Sequence, residues 1–471
     1  MKPRSIALFF AIVIAALAAI SFVYPAQGVS VASHTWYLPS ITQLAKGGQM
    51  EEFDIAAPNG EEIPPEVAGL TDSLDFLRHF VDTSDLRFWL PDSHYFDPFW
   101  RQAEVAAQQG HIVRILHYGD SQIEMDRMTD RLRSYMQQTF GGGGPGMIPF
   151  RYIYGTQTIR QSTSGAITHL SSFGDSTVHR SKGNYGPMMQ CFRIGGSATT
   201  KIEVSKRGKQ YPRLSRFSRI MLLYNNNGDT LRTVFAHSDS VSDTLYATGR
   251  GVGRLVLHSQ NPLSSFSLKV TGQADVYGIT LDDGPGVAVD NIPMRGCSGQ
   301  QFTTVSSDIL STAYSHLDVG LIILQFGGNS IPYLKSARSI SSYCQEMGRQ
   351  IDYLHRCHPG ARILFIGPSD MSIRDSGSLA SYPMIPQVVD SLIATVNAHN
   401  AAYWSIFHAM GGSGAMIYWE SKGLAGTDYT HFTQRGADLM GDRLVQALSD
   451  NYRLYCLEKR LRSDFTGLIL N

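Results

Sequence analysis

The chain has 471 residues, with 40 Lys and Arg side chains against 40 Asp and Glu, so its formal net charge is zero. This balance gives no electrostatic reason to expect nucleic acid or a strongly anionic surface as a partner. A hydrophobic fraction of 43% with 10% aromatic residues excludes a disordered chain, and the length predicts two or three domains.

Residues 1–28 have the pattern of an export signal. Lys2 and Arg4 precede Ile6–Tyr24, which is almost wholly apolar. This segment is either a secretory signal peptide or an uncleaved membrane anchor, because it is long enough to cross a bilayer. The sequence therefore predicts an exported protein of the periplasm or cell envelope. Residues 29–110 are expected to form a linker and helices that pack on the domain that follows.

The stretch HYGDSQIE, His117–Glu124, lies between a predicted strand and a predicted helix. Ile112–Leu116 is apolar and predicts the strand. Apolar residues then recur at helical spacing and predict a helix from Ser121 onward: Ile123, Met128, Leu132, Met136 and Phe140. Ser121 thus lies where backbone N–H groups converge, and two roles suit a serine there, a nucleophile and a helix N-cap. His117 is expected to be a packed residue at the strand end.

The sequence pattern changes at about residue 151 and changes back at about residue 285. Between these positions, short alternating runs separated by turn residues predict an antiparallel β-sandwich. Afterwards, apolar strands alternate with helical patterns, which predicts a parallel sheet with helices on both faces. The interpretation is a three-layer α/β/α domain, residues 111–150 and 286–471, that is interrupted by an inserted β-sandwich, residues 151–285.

Polar residues follow several of the predicted strands of the α/β domain. These residues are Ser121, Gly327–Asn329, Asp428 and His431. In open parallel sheets, active groups gather outside the carboxyl ends of the strands. A serine hydroxyl becomes a nucleophile when a histidine takes its proton, and the histidine needs an acceptor at its other nitrogen. The sequence therefore predicts a triad of Ser121, His431 and Asp428, with the Asn329 side chain as a donor to the oxyanion.

The motifs GDSQIE, GGN and DYTH resemble blocks I, III and V of the SGNH (GDSL-like) hydrolase superfamily. RGCSGQQF resembles block II, whose glycine N–H contributes to the oxyanion hole in that family. The resemblance assigns this role to Gly299, with Gly296 as the alternative. Two positions depart from the family pattern. Gln122 replaces the leucine of lipase-like members, which favours carbohydrate esterases, and Ser330 replaces the commoner aspartate after Asn329.

The wider pattern is similar to an exported bacterial branch of this superfamily that includes peptidoglycan O-acetylesterases. Some members carry a β-sandwich that resembles a carbohydrate-binding module between blocks I and II, where this chain has its β region. The resemblance implies a carboxylic ester hydrolase that removes O-acetyl groups from a polysaccharide, such as peptidoglycan or another plant or bacterial glycan. It also implies an acetyl-serine intermediate and no metal or organic cofactor.

Two other functions remain open at this point. The same triad could transfer the acetyl group to a sugar hydroxyl, which would make the protein a polysaccharide O-acetyltransferase. Alternatively, the β-sandwich could bind glycan while the α/β domain serves as a scaffold without catalysis. Hydrolysis of an acetyl ester in the absence of an acceptor sugar separates the first alternative from an esterase.

Overall fold

The structure is a computed structural model that describes residues 29–31, 34–36 and 65–469, except 175–179, 182, 238–240 and 376–377. The predicted hydrophobic segment 6–24 lies outside these residues. Across the described ranges, no helix is both long and apolar enough to cross a membrane. The chain divides into two compact units at residue 72. In the first, β1 (Val29–Val31) and β2 (His34–Trp36) form an antiparallel pair.

In the rest of the described chain, helices and strands alternate before and after a region that consists of strands without α-helices. Before the β region they are α1 (Pro65–Thr83), β3 (Phe88–Trp89), α2 (Asp97–Gln109), β4 (Ile112–Gly119) and α3 (Thr129–Phe140). The β region contains β5 (Gly146–Ile148), β6 (Ile159–Ser171), β7 (Gln190–Val204), β8 (Phe217–Asn226), β9 (Thr230–Ala236), β10 (Ser242–Thr248), β11 (Gly251–Leu263) and β12 (Ser265–Asp282). After it come β13 (Gly286–Pro293), α4 (Ser307–Leu317), β14 (Val319–Gln325), α5 (Ala337–Cys357), β15 (Arg362–Ile366), β16 (Ser372–Asp375), β17 (Ser378–Ser381), α6 (Ile385–Ala398), β18 (Ala402–Trp404), α7 (Ile406–Met410), α8 (Ala415–Ser421) and α9 (Gln434–Ile469).

The main sheet has the order β13-β4-β14-β15-β18-β3. Its first five strands are parallel, and the short edge strand β3 is antiparallel to β18. One face packs against α4, α5 and α6, and the other packs against α2, α3, α7, α8 and α9. Helices cover both faces, so nearly every residue of the central strands β4 and β14 is buried, rather than alternate residues. The predicted α/β/α domain is confirmed.

The inserted β region is antiparallel, as predicted. Its long strand β12 pairs with β7 and β9 through its first half and with β8 and β5 through its second half. The register shifts between Val276 and Gly278, at a bulge of the kind that bends a strand. The described strands thus form one connected network around a shared apolar core. This network begins at Gly146, before the predicted boundary at residue 151.

The helix predicted from Ser121 begins later than expected, at Thr129. Residues 121–123 form a single 3-10 turn. Met125, Asp126 and Met128 then adopt φ values of 63°, 66° and 58°, a left-handed region that interrupts an α-helix. The expected continuous helix is therefore wrong, because apolar spacing reports which side chains are buried and not the path of the backbone between them. Ser121 lies on a tight turn at the end of β4.

Candidate active site

Three segments meet at the carboxyl edge of the parallel sheet. Ser121 follows β4, Asn329 follows β14, and His431 lies in the loop before α9. The backbone N–H of Asp120 donates to the carbonyl oxygen of Gln325 at 3.2 Å and joins the first two segments. A cavity of about 280 Å³ opens here, and Ser121, Asn329 and His431 all line it.

Ser121, His431 and Asp428 form one continuous chain of hydrogen bonds. Ser121 Oγ lies 2.7 Å from His431 Nε2, and His431 Nδ1 lies 2.7 Å from Asp428 Oδ2. The other carboxylate oxygen of Asp428 accepts the backbone N–H groups of Thr430 and His431, each at 3.0 Å. Burial acts to raise the pKa of Asp428, but the hydrogen bonds from His431 and Thr430 outweigh it and lower the pKa. Asp428 is therefore held as an anion facing the imidazole.

The loop that carries His431 is a tight turn near the surface. Tyr429 has φ 52°, and the N–H of Gly426 donates to the carbonyl oxygen of His431 at 2.8 Å. The left-handed step between Asp428 and His431 brings the two side chains to the same side of the turn. Their side chains are 53% and 41% exposed, respectively. This half of the site thus lies at the protein surface.

Asp120, rather than Ser121, caps the turn after β4. Its Oδ1 accepts the N–H of Gln122 at 3.0 Å. Asp120 is buried, and this burial raises its pKa to about 6, although the hydrogen bond from Gln122 opposes the shift. The sequence allows two roles for Ser121, a cap and a nucleophile. Asp120 fills the role of the cap, and the hydroxyl of Ser121 contacts His431 instead.

Asn329 lines the cavity, but its amide nitrogen already has two acceptors. Asn329 Nδ2 lies 3.2 Å from Asp120 Oδ2 and 3.0 Å from the carbonyl oxygen of Cys297. An amide nitrogen has two N–H groups, so donation to an oxyanion requires Asn329 to release or share one of them. Ser330, the departure from the family pattern, begins the 3-10 turn 331–333, and its N–H donates to Gly327 O at 2.9 Å.

Gly299 is not among the described residues that line the cavity. Its φ is +86°, and an added Cβ would lie 3.0 Å from the ring of Phe326, which does line the cavity. The position therefore requires glycine for its backbone conformation and for close packing. The alternative, Gly296, has φ +76° with open space around it. The oxyanion role of Gly299 stays a prediction.

Two further side chains connect the Ser121 turn to the His431 loop. Gln122 Nε2 donates to the carbonyl oxygen of Thr430 at 2.7 Å, and Gln122 Oε1 accepts the N–H of Phe432 at 3.2 Å. Arg127 donates to the carbonyl oxygen of Phe432 at 3.0 Å and also to that of Ser121. We call this pair of side chains the clamp. The sequence contains no signal for it, because Gln122 and Thr430 are 308 positions apart.

The rim of the cavity is apolar and aromatic. Tyr333, on the turn after Asn329, is 78% exposed, and Met371 and Tyr382 line the same opening. Exposed tyrosine rings combine an apolar face with a polar edge. Such a rim suits a ligand that has both C–H faces and hydroxyl groups.

Comparison with solved structures defines the fold. A peptidoglycan O-acetylesterase aligns with a TM-score of 0.62 at 20% identity, over 79% of this chain and 99% of the esterase. This chain has the SGNH hydrolase fold. The resemblance seen in the sequence motifs is thereby confirmed for the fold, and the SGNH domain includes the elements that hold Ser121, Asn329 and His431.

Other similarities are weaker. A family two carbohydrate esterase from Cellvibrio japonicus aligns at 10% identity with a TM-score of 0.26, over 63% of this chain and 99% of that one. A GDSL-like lipase from Parabacteroides merdae aligns at 16% identity with a TM-score of 0.28, over 35% and 74% of the two chains. No protein-family model and no curated protein sequence matches the chain.

Proposed function

We propose that this chain is an exported serine esterase that removes O-acetyl groups from a polysaccharide such as peptidoglycan. The observation that supports this function best is the hydrogen-bonded chain from Ser121 through His431 to Asp428, with 2.7 Å at each step, which opens into a cavity. Such an arrangement activates a serine hydroxyl for acyl transfer.

In the proposed reaction, His431 Nε2 accepts the proton of Ser121 as Oγ attacks the acetyl carbonyl carbon. Asp428 orients the imidazole through Nδ1 and stabilises its cationic form. When the tetrahedral intermediate collapses, the sugar oxygen leaves with the proton from His431, and an acetyl-serine remains. Water then gives one proton to His431 and attacks the acetyl carbon, and acetic acid leaves as Ser121 recovers a proton from His431; the acid then ionises to acetate.

The negative charge on the tetrahedral oxygen needs fixed donors. We assign this role to the backbone N–H groups of Ser121 and Gly299 and to the amide of Asn329. Asn329 Nδ2 now donates to Asp120 Oδ2 and to the carbonyl oxygen of Cys297, so it must give up one of these two hydrogen bonds to donate to the oxyanion. One such donor is typically worth about 3 kcal/mol of transition-state stabilisation.

The assignment of an acetylated glycan as the substrate has two supports. The rim of the cavity presents Tyr333 and Tyr382, whose rings can lie against the C–H faces of sugars. A solved structure that aligns over 79% of the chain with a TM-score of 0.62 is a peptidoglycan O-acetylesterase. We infer export from the sequence of residues 6–24, which is either a signal peptide or a retained membrane anchor, and we propose the periplasm or cell envelope as the place of action.

The test measures acetate release from a chromogenic acetyl ester, O-acetylated peptidoglycan and acetylated xylan. We expect release from the ester and from peptidoglycan, and we expect Ser121→Ala to lower it by roughly 10³-fold or more. Ser341→Ala, which changes an exposed serine on α5, is the matched control and should keep full activity. Acetyl transfer to an added sugar acceptor, with no release to water, would contradict the esterase and identify a transferase.

A further inference from the structure

A second cavity, of about 340 Å³, lies at the edge of the parallel sheet opposite to Ser121. The SGNH domain and the inserted β domain both contribute residues to its walls. Ile112, the first residue of β4, lines it, whereas Ser121 follows the last residues of the same strand. A strand of eight residues spans about 25 Å, so the two cavities are separate sites.

Basic side chains from both domains line this cavity. Besides Arg114, they are His111 and His316 of the SGNH domain and Arg219, Arg254 and His258 of the inserted domain. Arg219 on β8 lies directly opposite His258 on the neighbouring strand β11. The one acidic residue among the described residues that line the cavity is Asp318. The cavity therefore presents mainly arginine charge and N–H donors.

The positive charge at this cavity is only partly paired. Arg114 is buried, and Asp282 and Asp290 each lie 2.7 Å from its guanidinium. Arg219 shares Asp282 with it, at 3.1 Å, and in the described part of the chain Arg254 has no carboxylate partner. Burial lowers the pKa of Arg219, and the neighbouring arginines add to this effect, although Asp282 opposes it. An anion bound here therefore offsets excess positive charge.

The guanidiniums of Arg219 and Arg254 keep donors for a ligand. Arg219 NH2 contacts the thioether sulfur of Met221 at 3.9 Å, which is a weak acceptor. Arg254 NH1 donates to the carbonyl oxygen of His316 at 2.7 Å, which uses one of the five N–H groups of its fork. The Arg219 side chain is 21% exposed and Arg254 is an exposed residue, so a ligand from solvent can reach both.

We propose that this cavity binds a phosphate group, with the guanidiniums of Arg219 and Arg254 donating to its oxygens. Guanidinium forks match the geometry of phosphate, and charge-assisted hydrogen bonds of this kind are stronger than those between neutral groups. A phosphate ester offers three acceptor oxygens to donors that come from two domains, whereas a carboxylate offers two. The site goes beyond the proposed esterase function, because it uses no residue of the triad.

The test measures binding by calorimetry with three probes: inorganic phosphate, glycerol 3-phosphate, and glycerate, which has a carboxylate in place of the phosphate ester. We expect both phosphates to bind at least roughly tenfold more tightly than glycerate. Arg254→Ala should weaken phosphate binding by roughly tenfold, because it removes a charged donor. Arg219→Lys should weaken it less than Arg219→Ala, since lysine keeps the charge but not the fork.

The two phosphate probes distinguish the source of the group. Tighter binding of glycerol 3-phosphate supports a phosphate ester as the ligand, and tighter binding of inorganic phosphate supports the free anion. Equal affinity for phosphate and glycerate, or phosphate binding that survives both Arg254→Ala and Arg219→Ala, would overturn the proposal.

Arg232→Ala is the matched control, since it changes an exposed arginine on β9 that does not line the cavity, and it should leave every affinity unchanged. If denaturant titration shows that Arg254→Ala does not fold, His258→Ala tests the same cavity from an exposed position and should weaken phosphate binding by roughly threefold. Ser121→Ala should bind phosphate as the wild type does and should not hydrolyse the chromogenic ester. Failure of the esterase and failure of the phosphate site are therefore separate results.

Discussion

The two halves of the candidate active site are held in different ways. The turn that carries Ser121 follows a buried strand, and the buried Asp120 side chain caps it. The loop that carries His431 is a surface turn in which about half of the Asp428 side chain is exposed. The first half is fixed by the core of the sheet, while the second depends on a few side-chain contacts across the site. The clamp of Gln122 and Arg127 supplies those contacts.

Breaking the clamp should produce the largest change among the variants outside the triad. Arg127→Ala removes the guanidinium donor to the carbonyl oxygen of Phe432 and one of two donors to that of Ser121, which keeps the N–H of Glu124. His431 then loses a contact that fixes its position relative to the serine. We expect kcat on a chromogenic acetyl ester to fall by roughly 10²-fold with little change in KM, because misplacement of a reacting group by about 1 Å has this effect. Steady-state kinetics measures the two parameters separately.

Partial and control variants sharpen this prediction. Arg127→Lys should retain more activity than Arg127→Ala, although lysine cannot replace the fork of a guanidinium. Gln122→Leu, which introduces the residue of lipase-like relatives, should lower kcat by roughly tenfold. Arg349→Ala changes an arginine whose side chain is 73% exposed, and it should have no effect. If Arg127→Ala behaves like Arg349→Ala, the clamp does not position His431.

His117 provides a contrast to His431, since it is fully buried at the end of β4. Its Nδ1 lies 2.9 Å from Thr129 Oγ1 and its Nε2 lies 3.0 Å from Gln325 Oε1. Burial, with a smaller contribution from Arg133, lowers its pKa from 6.5 to about 4. It does not line the cavity at Ser121, which agrees with the packed role expected from the sequence.

This pKa shift predicts a loss of stability in acid. His117 takes up a proton below about pH 6.5 in the unfolded chain but only near pH 4 in the folded chain. Neutral His117 therefore contributes its full stabilisation above pH 6.5, and the free energy of unfolding decreases as the pH drops toward 4. Protonation of His117 should lower the free energy of unfolding by about 2 kcal/mol between pH 7 and pH 5. Denaturant titrations should show that the His117→Gln protein is less stable than the wild type at pH 7, but that its free energy of unfolding decreases less between pH 7 and pH 5. His79→Gln, a change at an exposed position, is the control and should show the same pH dependence as the wild type.

The smallest effect is expected at the rim of the cavity. Tyr333→Ala removes an exposed ring that lines the opening beside Asn329 without contacting the hydrogen bonds of the triad. We expect KM for the acetylated polymer to rise by roughly three- to tenfold, in line with the loss of one aromatic contact. Turnover of a small acetyl ester should not change. An equal loss on both substrates would indicate that Tyr333 supports the site structurally rather than contacting glycan.

The sequence alone determined the layers of the molecule and grouped Ser121 with Asp428 and His431. Continuous apolar strands and amphipathic helices report burial directly, and an i, i+3 spacing brings an acid and a histidine within reach of each other. The serine, too, was detectable because it follows an apolar strand. These are local patterns, and each can be recognised within a short stretch of the chain.

The tertiary structure decided what local patterns do not contain. A short 3-10 turn with Asp120 as its cap, followed by the left-handed residues Met125 and Asp126, replaces the expected start of a helix at Ser121. The clamp joins segments that are far apart in the sequence through a few side-chain hydrogen bonds. Such contacts depend on how the chain packs in three dimensions, and they have no periodicity that the sequence could display.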